Sequence, residues 1–117
     1  MIYLSFEFRL ISKDNEKIFN RAGRPFLSKK FKDFENKVRL FASLHYHYEP
    51  MEGNLKIRVI AHYRNKGHPD ATNLFKGICD AFQGILYKND KQIKKAEIEV
   101  QYGEVDWFEV YLNQIEE

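Results

Sequence analysis

The chain has 117 residues, 44% of them apolar, 15% aromatic and 31% charged in both signs, which is one ordinary domain's worth of polypeptide and excludes a disordered tail. No run approaches the ~18 consecutive apolar residues of a membrane span, and Glu7 and Arg9 interrupt the stretch where a secretory leader would be apolar, so neither insertion nor secretion is expected. Cys79 is the single cysteine, which excludes an internal disulfide and a cysteine-based zinc site and suits a cytoplasmic, reducing setting.

The formal charge of +2 is unevenly spread. Residues 104–117 hold five acids and no Lys or Arg, and the stretch from Arg9 to Arg39 holds ten basic residues against four acidic ones. A second basic stretch, Lys56, Arg58, Arg64, Lys66 and Lys76, contains Asp70 as its one acid. Such a distribution suits counterion-releasing contacts to phosphates, although lysines also simply solvate outer faces.

In chain order, Leu4, Phe6, Phe8 and Leu10 alternate with Ser5, Glu7 and Arg9, the period-two pattern of a half-buried strand. Residues 11–24 read as a polar, basic loop ending in Gly23-Arg24-Pro25. Ser28 is placed to cap a helix whose Phe31, Phe34, Val38, Phe41 and Leu44 share one face as far as His45. After the turn around Pro50 and Gly53, Leu55–Ala61 alternates as a second strand, and Leu74, Ile78, Ala81, Phe82 and Ile85 set a second helix over 71–86. Asn89-Asp90 is a turn, Ile93–Gln101 a third strand and Trp107–Leu112 a fourth. The expectation is one α+β domain over 1–117: two layers, order β-α-β-α-β-β, two helices on a four-stranded mixed sheet.

Asp70 stands between the second strand and second helix, and Asp90 in the turn after it. A 16-residue helix between them would separate its ends by roughly 24 Å, so the two carboxylates meet only if the chain folds back along that helix. Taken singly, Asp70 and Thr72 are helix N-caps, Lys76 and Asp80 an i,i+4 ion pair, and Asp90 a turn residue. The four histidines fall at no familiar zinc spacing; His68, two residues before Asp70, can reach a substrate phosphate.

The stretch from Pro69 to Ile93 resembles the signature of the RusA family of Holliday junction resolvases: P-D-x-D-N-L-x-K, then D-A-L-x-G, then D-D-x-Q-I or V. Asp70, Asn73, Leu74, Lys76, Asp80, Ala81, Gly84, Asp90, Gln92 and Ile93 fall at matching positions. Asn20, Arg21, Gly23, Arg24 and Ser28 are similar to the family's basic segment ahead of the first helix. The resemblance implies a homodimeric, Mg²⁺-dependent endonuclease, with Mn²⁺ a substitute, that resolves four-way DNA junctions by paired nicks. It places metal at Asp70 and Asp90 with Thr72 as a hydroxyl donor, and catalysis at Asp70, Asp90 and Lys76. The basic residues then point to DNA contacts at Arg21, Arg24, Lys29, Arg64, Lys66 and His68. Thr72 and Asn89 replace family acids, which removes negative charge from a site for a hard cation and keeps open a second reading, a branched-DNA-binding relative without cleavage.

Overall fold

The alternating N-terminal residues form β1 (Ile2–Phe6) in the computed structural model, which describes residues 1–13, 17–19, 23 and 25–116. A short antiparallel pair follows, β2 (Lys17–Phe19) inside the segment 11–24 whose sequence reads as loop and β3 (Pro25–Leu27) at its end. Three-residue strands lie below the length at which alternation can be recognised. Helix α1 runs Lys29–His45, and its Ser28 cap is realised: the hydroxyl accepts from the Phe31 amide.

Strands β4 (Leu55–Tyr63), β5 (Ile93–Tyr102) and β6 (Trp107–Gln114) join β1 in one mixed sheet of order β1-β6-β4-β5. β4 and β5 are parallel, joined across the helical layer, while β6 is antiparallel to both of its neighbours. The expected α+β architecture and element order therefore hold. Leu4, Phe6, Leu55, Ile57, Val59, Ala61, Phe108, Val110 and Leu112 turn to one face and are buried under the helices. Phenylalanines fill the space between layers: Phe6 stacks on Phe108 at 4.5 Å between ring centres, with Phe8, Phe34 and Phe41 around them. On the opposite face Glu109 accepts from Tyr3 and Tyr111 and meets His62 Nε2 at 2.6 Å. Burial raises the Glu109 pKa, but those hydrogen bonds outweigh it and hold the carboxyl below its ordinary value.

The second helix is shorter than its apolar spacing suggests. A 3₁₀ turn covers Ala71–Asn73, α2 covers Phe75–Phe82, and Gln83 leaves in an extended conformation. Two features outside the apolar pattern stop it. Arg39 Nη1, from α1, donates to the carbonyls of Ala81 at 2.7 Å and Gln83 at 3.1 Å, satisfying groups that another turn of helix would use. Gly84 then turns the chain at φ +84°, a conformation that L side chains rarely adopt. The eight residues of α2 span roughly 12 Å, half the sequence-based length.

Helix α2 meets α1 at Gly77, where an added Cβ would lie 2.6 Å from the ring of Phe31. That ring is fully buried and has nowhere to swing. Gly77→Ala gains roughly 1 kcal/mol of helix propensity but forces repacking that costs about 1–3 kcal/mol. The expected result is a net loss of up to about 2 kcal/mol in urea denaturation, and a raised midpoint would show that the two helices can separate freely.

Candidate metal and nucleic-acid site

Among the described residues, those singled out by sequence lie on the loop after β4, in the turn after α2, and on both helices, Lys29 on α1 and Lys76 on α2. The loop after β4 is tied down from three sides. Arg9 lies over the Tyr63 ring and donates Nη2 to the Gly67 carbonyl at 2.7 Å. Asp106 accepts from the Arg64 amide at 2.8 Å and pairs with Arg9. His68 stacks on Tyr63 with ring centres 4.5 Å apart, its Nδ1 donating to the Pro69 carbonyl and its Nε2 meeting the Tyr102 hydroxyl at 2.7 Å. Both ring nitrogens of His68 are thus engaged within the protein, whereas the side chains of Arg64 and Lys66 are exposed. Lys29, at the start of α1, is exposed as well. Arg21 and Arg24 lie outside the described residues.

Asp70 is exposed and stands at the N-cap position of the 3₁₀ turn, yet its side chain makes no capping bond; its main-chain carbonyl accepts from Asn73 instead. Thr72 and Lys76 are exposed too. The i,i+4 pairing of Lys76 with Asp80 does not form: Asp80 Oδ2 pairs with Lys13 Nζ at 2.8 Å. Capping and helix pairing therefore leave Asp70, Thr72 and Lys76 uncommitted.

The fold-back required for Asp90 takes place at the far end of α2. The Tyr87 hydroxyl reaches the Cys79 carbonyl at 2.6 Å, and the Asp90 amide donates to Gln83 Oε1 at 3.2 Å. Asp90 opens a 3₁₀ turn, Asp90–Gln92, held by a capping box between Asn89 and Gln92. Gln92 also donates to the carbonyls of Met51 and Gly53. Asn89 Oδ1 accepts from the Lys91 amide at 2.8 Å, so the residue in place of a family acid has a structural task. This brings Asp90 beside Cys79, Asp80 and Gln83. Asp70 enters α2 from the opposite end, and no contact joins the two carboxylates among the described residues.

The negative charges of Asp80 and Asp90 both bear on Cys79, whose thiol is pushed up to about 12, chiefly by burial. Tyr87 is raised as well, again chiefly by burial and with contributions from the same acids.

No group of three or more His, Cys, Asp or Glu able to hold a metal ion occurs among the described residues. The donor chemistry still fits Mg²⁺. Two carboxylates and a hydroxyl are hard oxygen donors, and Mg²⁺ is commonly held by one or two carboxylates, with water and substrate phosphate completing its octahedron.

The family model for the endodeoxyribonuclease RusA matches residues 7–112. The chain belongs to the RusA family. Its members resolve Holliday junctions as endonucleases, and the match takes in both basic stretches and the whole segment from Pro69 to Ile93. No curated protein matches the sequence. No helix among the described residues is long and apolar enough to cross a membrane.

Residues that sequence reasoning missed are Lys13, which holds Asp80, Arg9, which ties the loop between β4 and α2, and Arg39, which holds the C-terminal end of α2. Each acts across the fold on a residue at least 42 positions away, and local pattern carries no signal for such pairs. A thiol raised to about 12 is protonated at pH 8 and nearly inert. Cys79 in folded protein should therefore fail to react with Ellman's reagent until denaturant is added; rapid reaction of native protein would contradict this placement.

Proposed function

We propose that this protein is a metal-dependent endonuclease that resolves four-way DNA junctions by paired, symmetric nicks. Family membership over residues 7–112 is the observation that carries the reading. Asp70 and Asp90, with the Thr72 hydroxyl, would hold Mg²⁺ or Mn²⁺, which when bound would supply a water made nucleophilic at neutral pH and an offset for charge on the phosphate oxygens. Lys76 meets the developing charge on the scissile phosphate, where a fixed cation stabilises the transition state more than the ground state.

Lys29, Arg64 and Lys66, together with Arg21 and Arg24, contact backbone phosphates and so read junction shape rather than base sequence. Arg64 and Lys66 are exposed on the tied loop that leads from β4 to Asp70, and within it His68 stacks on Tyr63. A junction with near two-fold symmetry needs two symmetric cuts, which one subunit with one site cannot place, so the active form is a homodimer.

Cleavage of a synthetic four-way junction tests the reading, beside linear duplex and single strand, in Mg²⁺, Mn²⁺ and EDTA. Paired nicks restricted to the junction and dependent on metal are expected. Asp70→Asn should lower the cleavage rate by at least about 100-fold, above the ~10–100-fold typical of losing a group that merely supports a ligand, while junction binding in EDTA is retained. Uncut junction in both metals, with binding intact, would favour the second reading of a non-cleaving relative, for which the committed Asn89 side chain is the supporting observation.

Phosphate contacts have their own signature. Lys66→Ala should weaken junction binding and reduce the slope of log K against log salt by about 0.9, the share of one phosphate contact. An unchanged slope would remove Lys66 from the interface.

A further inference from the structure

Gln83 is the node between α2 and the turn that carries Asp90. Its main-chain carbonyl accepts from Arg39 at 3.1 Å. Its side-chain Oε1 accepts from the Asp90 amide at 3.2 Å, and its Nε2 faces Asp80 Oδ1 at 3.5 Å. The other oxygen of Asp80 is 2.8 Å from Lys13 Nζ, with both side chains about four-fifths removed from solvent. The Asp90 turn is otherwise pinned from its far end by Gln92, through Met51 and Gly53.

The order of these contacts has a chemical logic. A glutamine amide has one accepting and one donating end, and only the accepting end can serve the Asp90 N–H. A carboxylate beside the amide accepts only, so it selects the orientation with nitrogen toward Asp80 and oxygen toward Asp90. Lys13 holds that carboxylate in place. We propose that Asp80, oriented by Lys13 and acting through Gln83, is a positioning residue that sets the Asp90 carboxylate for metal binding. The inference rests on the reading of Asp90 as a metal ligand. It gives Asp80 and Lys13 work beyond a surface ion pair, because a partner that orients a ligand typically sets metal affinity by ~10–100-fold.

Charge exchange separates positioning from simple ion pairing. In the double variant Lys13→Asp with Asp80→Lys the ion pair is restored, but the ammonium at position 80 only donates. It turns the Gln83 amide over and leaves the Asp90 N–H facing an NH₂ group. Mn²⁺ affinity, followed by the electron paramagnetic resonance of free Mn²⁺, is measured with thermal melting for wild type, Asp80→Ala, Gln83→Leu and the exchanged pair.

Asp80→Ala and Gln83→Leu should weaken Mn²⁺ binding about tenfold or more, and the exchanged pair should regain melting temperature without regaining affinity. Gln83→Leu keeps the Lys13–Asp80 pair and serves if Asp80→Ala does not fold. Affinity within twofold of wild type in Gln83→Leu, or full recovery in the exchanged pair, would overturn the proposal. So would a wild type that binds no Mn²⁺, since Asp90 would then not be a ligand. A wild type that binds Mn²⁺ but cuts no junction would overturn the nuclease reading alone, with the affinities of the variants still deciding this one.

Discussion

The Arg39 guanidinium, reaching from α1 to the carbonyls of Ala81 and Gln83, fixes the end of α2 and with it the point at which the chain turns back toward Asp90. A cation at a helix C-terminus meets both the unpaired carbonyls and the negative end of the helix dipole. With α2 stopped at Phe82, Gly84 turns the chain and Tyr87 drops back beside Cys79. Asp90 then arrives next to Asp80 rather than a further helical turn away. The two helices also approach closely at Gly77, where an added Cβ would meet the Phe31 ring.

A second organising feature is the division of the basic residues into two kinds. Arg9, Lys13 and Arg39 are turned inward and serve carbonyls or carboxylates. Lys29, Arg64, Lys66 and Lys76 remain exposed. A modest net charge of +2 thus understates the exposed positive charge, because five acids are gathered in the last 14 residues and several others neutralise structural cations. The histidine closest to the site follows the same division: His68 belongs to the scaffold of its loop, stacked on Tyr63 and joined to Tyr102.

Fold class, element order and the extent of α1 were legible because each rests on a local rule: period-two alternation, helical spacing of large apolar residues, and a serine cap. The β2–β3 pair was not, since three residues in each strand are too few for a pattern. The second helix was read too long because Ile85 continues the apolar spacing, although it packs as part of the returning chain. The candidate site was legible as a motif, and its residues escape the ordinary structural uses that local rules offer: Asp70 caps nothing with its side chain, and Lys76 does not pair with Asp80. Asn89 went the other way, its carbonyl oxygen taken by the Lys91 amide.

By itself the sequence determined the two-layer α+β architecture, the family and the identity of the chemical groups, because these depend on side-chain type and on spacing along one element. The tertiary structure decided which of those groups are free and which are spent. It set the end of α2 through Arg39, gave Asp80 to Lys13, turned His68 into the loop and linked Asp90 to Gln83. These outcomes depend on partners from other elements, up to 67 positions away in the chain. Hydrogen bonds and ion pairs are satisfied by whatever the packed layers bring within about 3 Å, and that distance is fixed only after the core has closed.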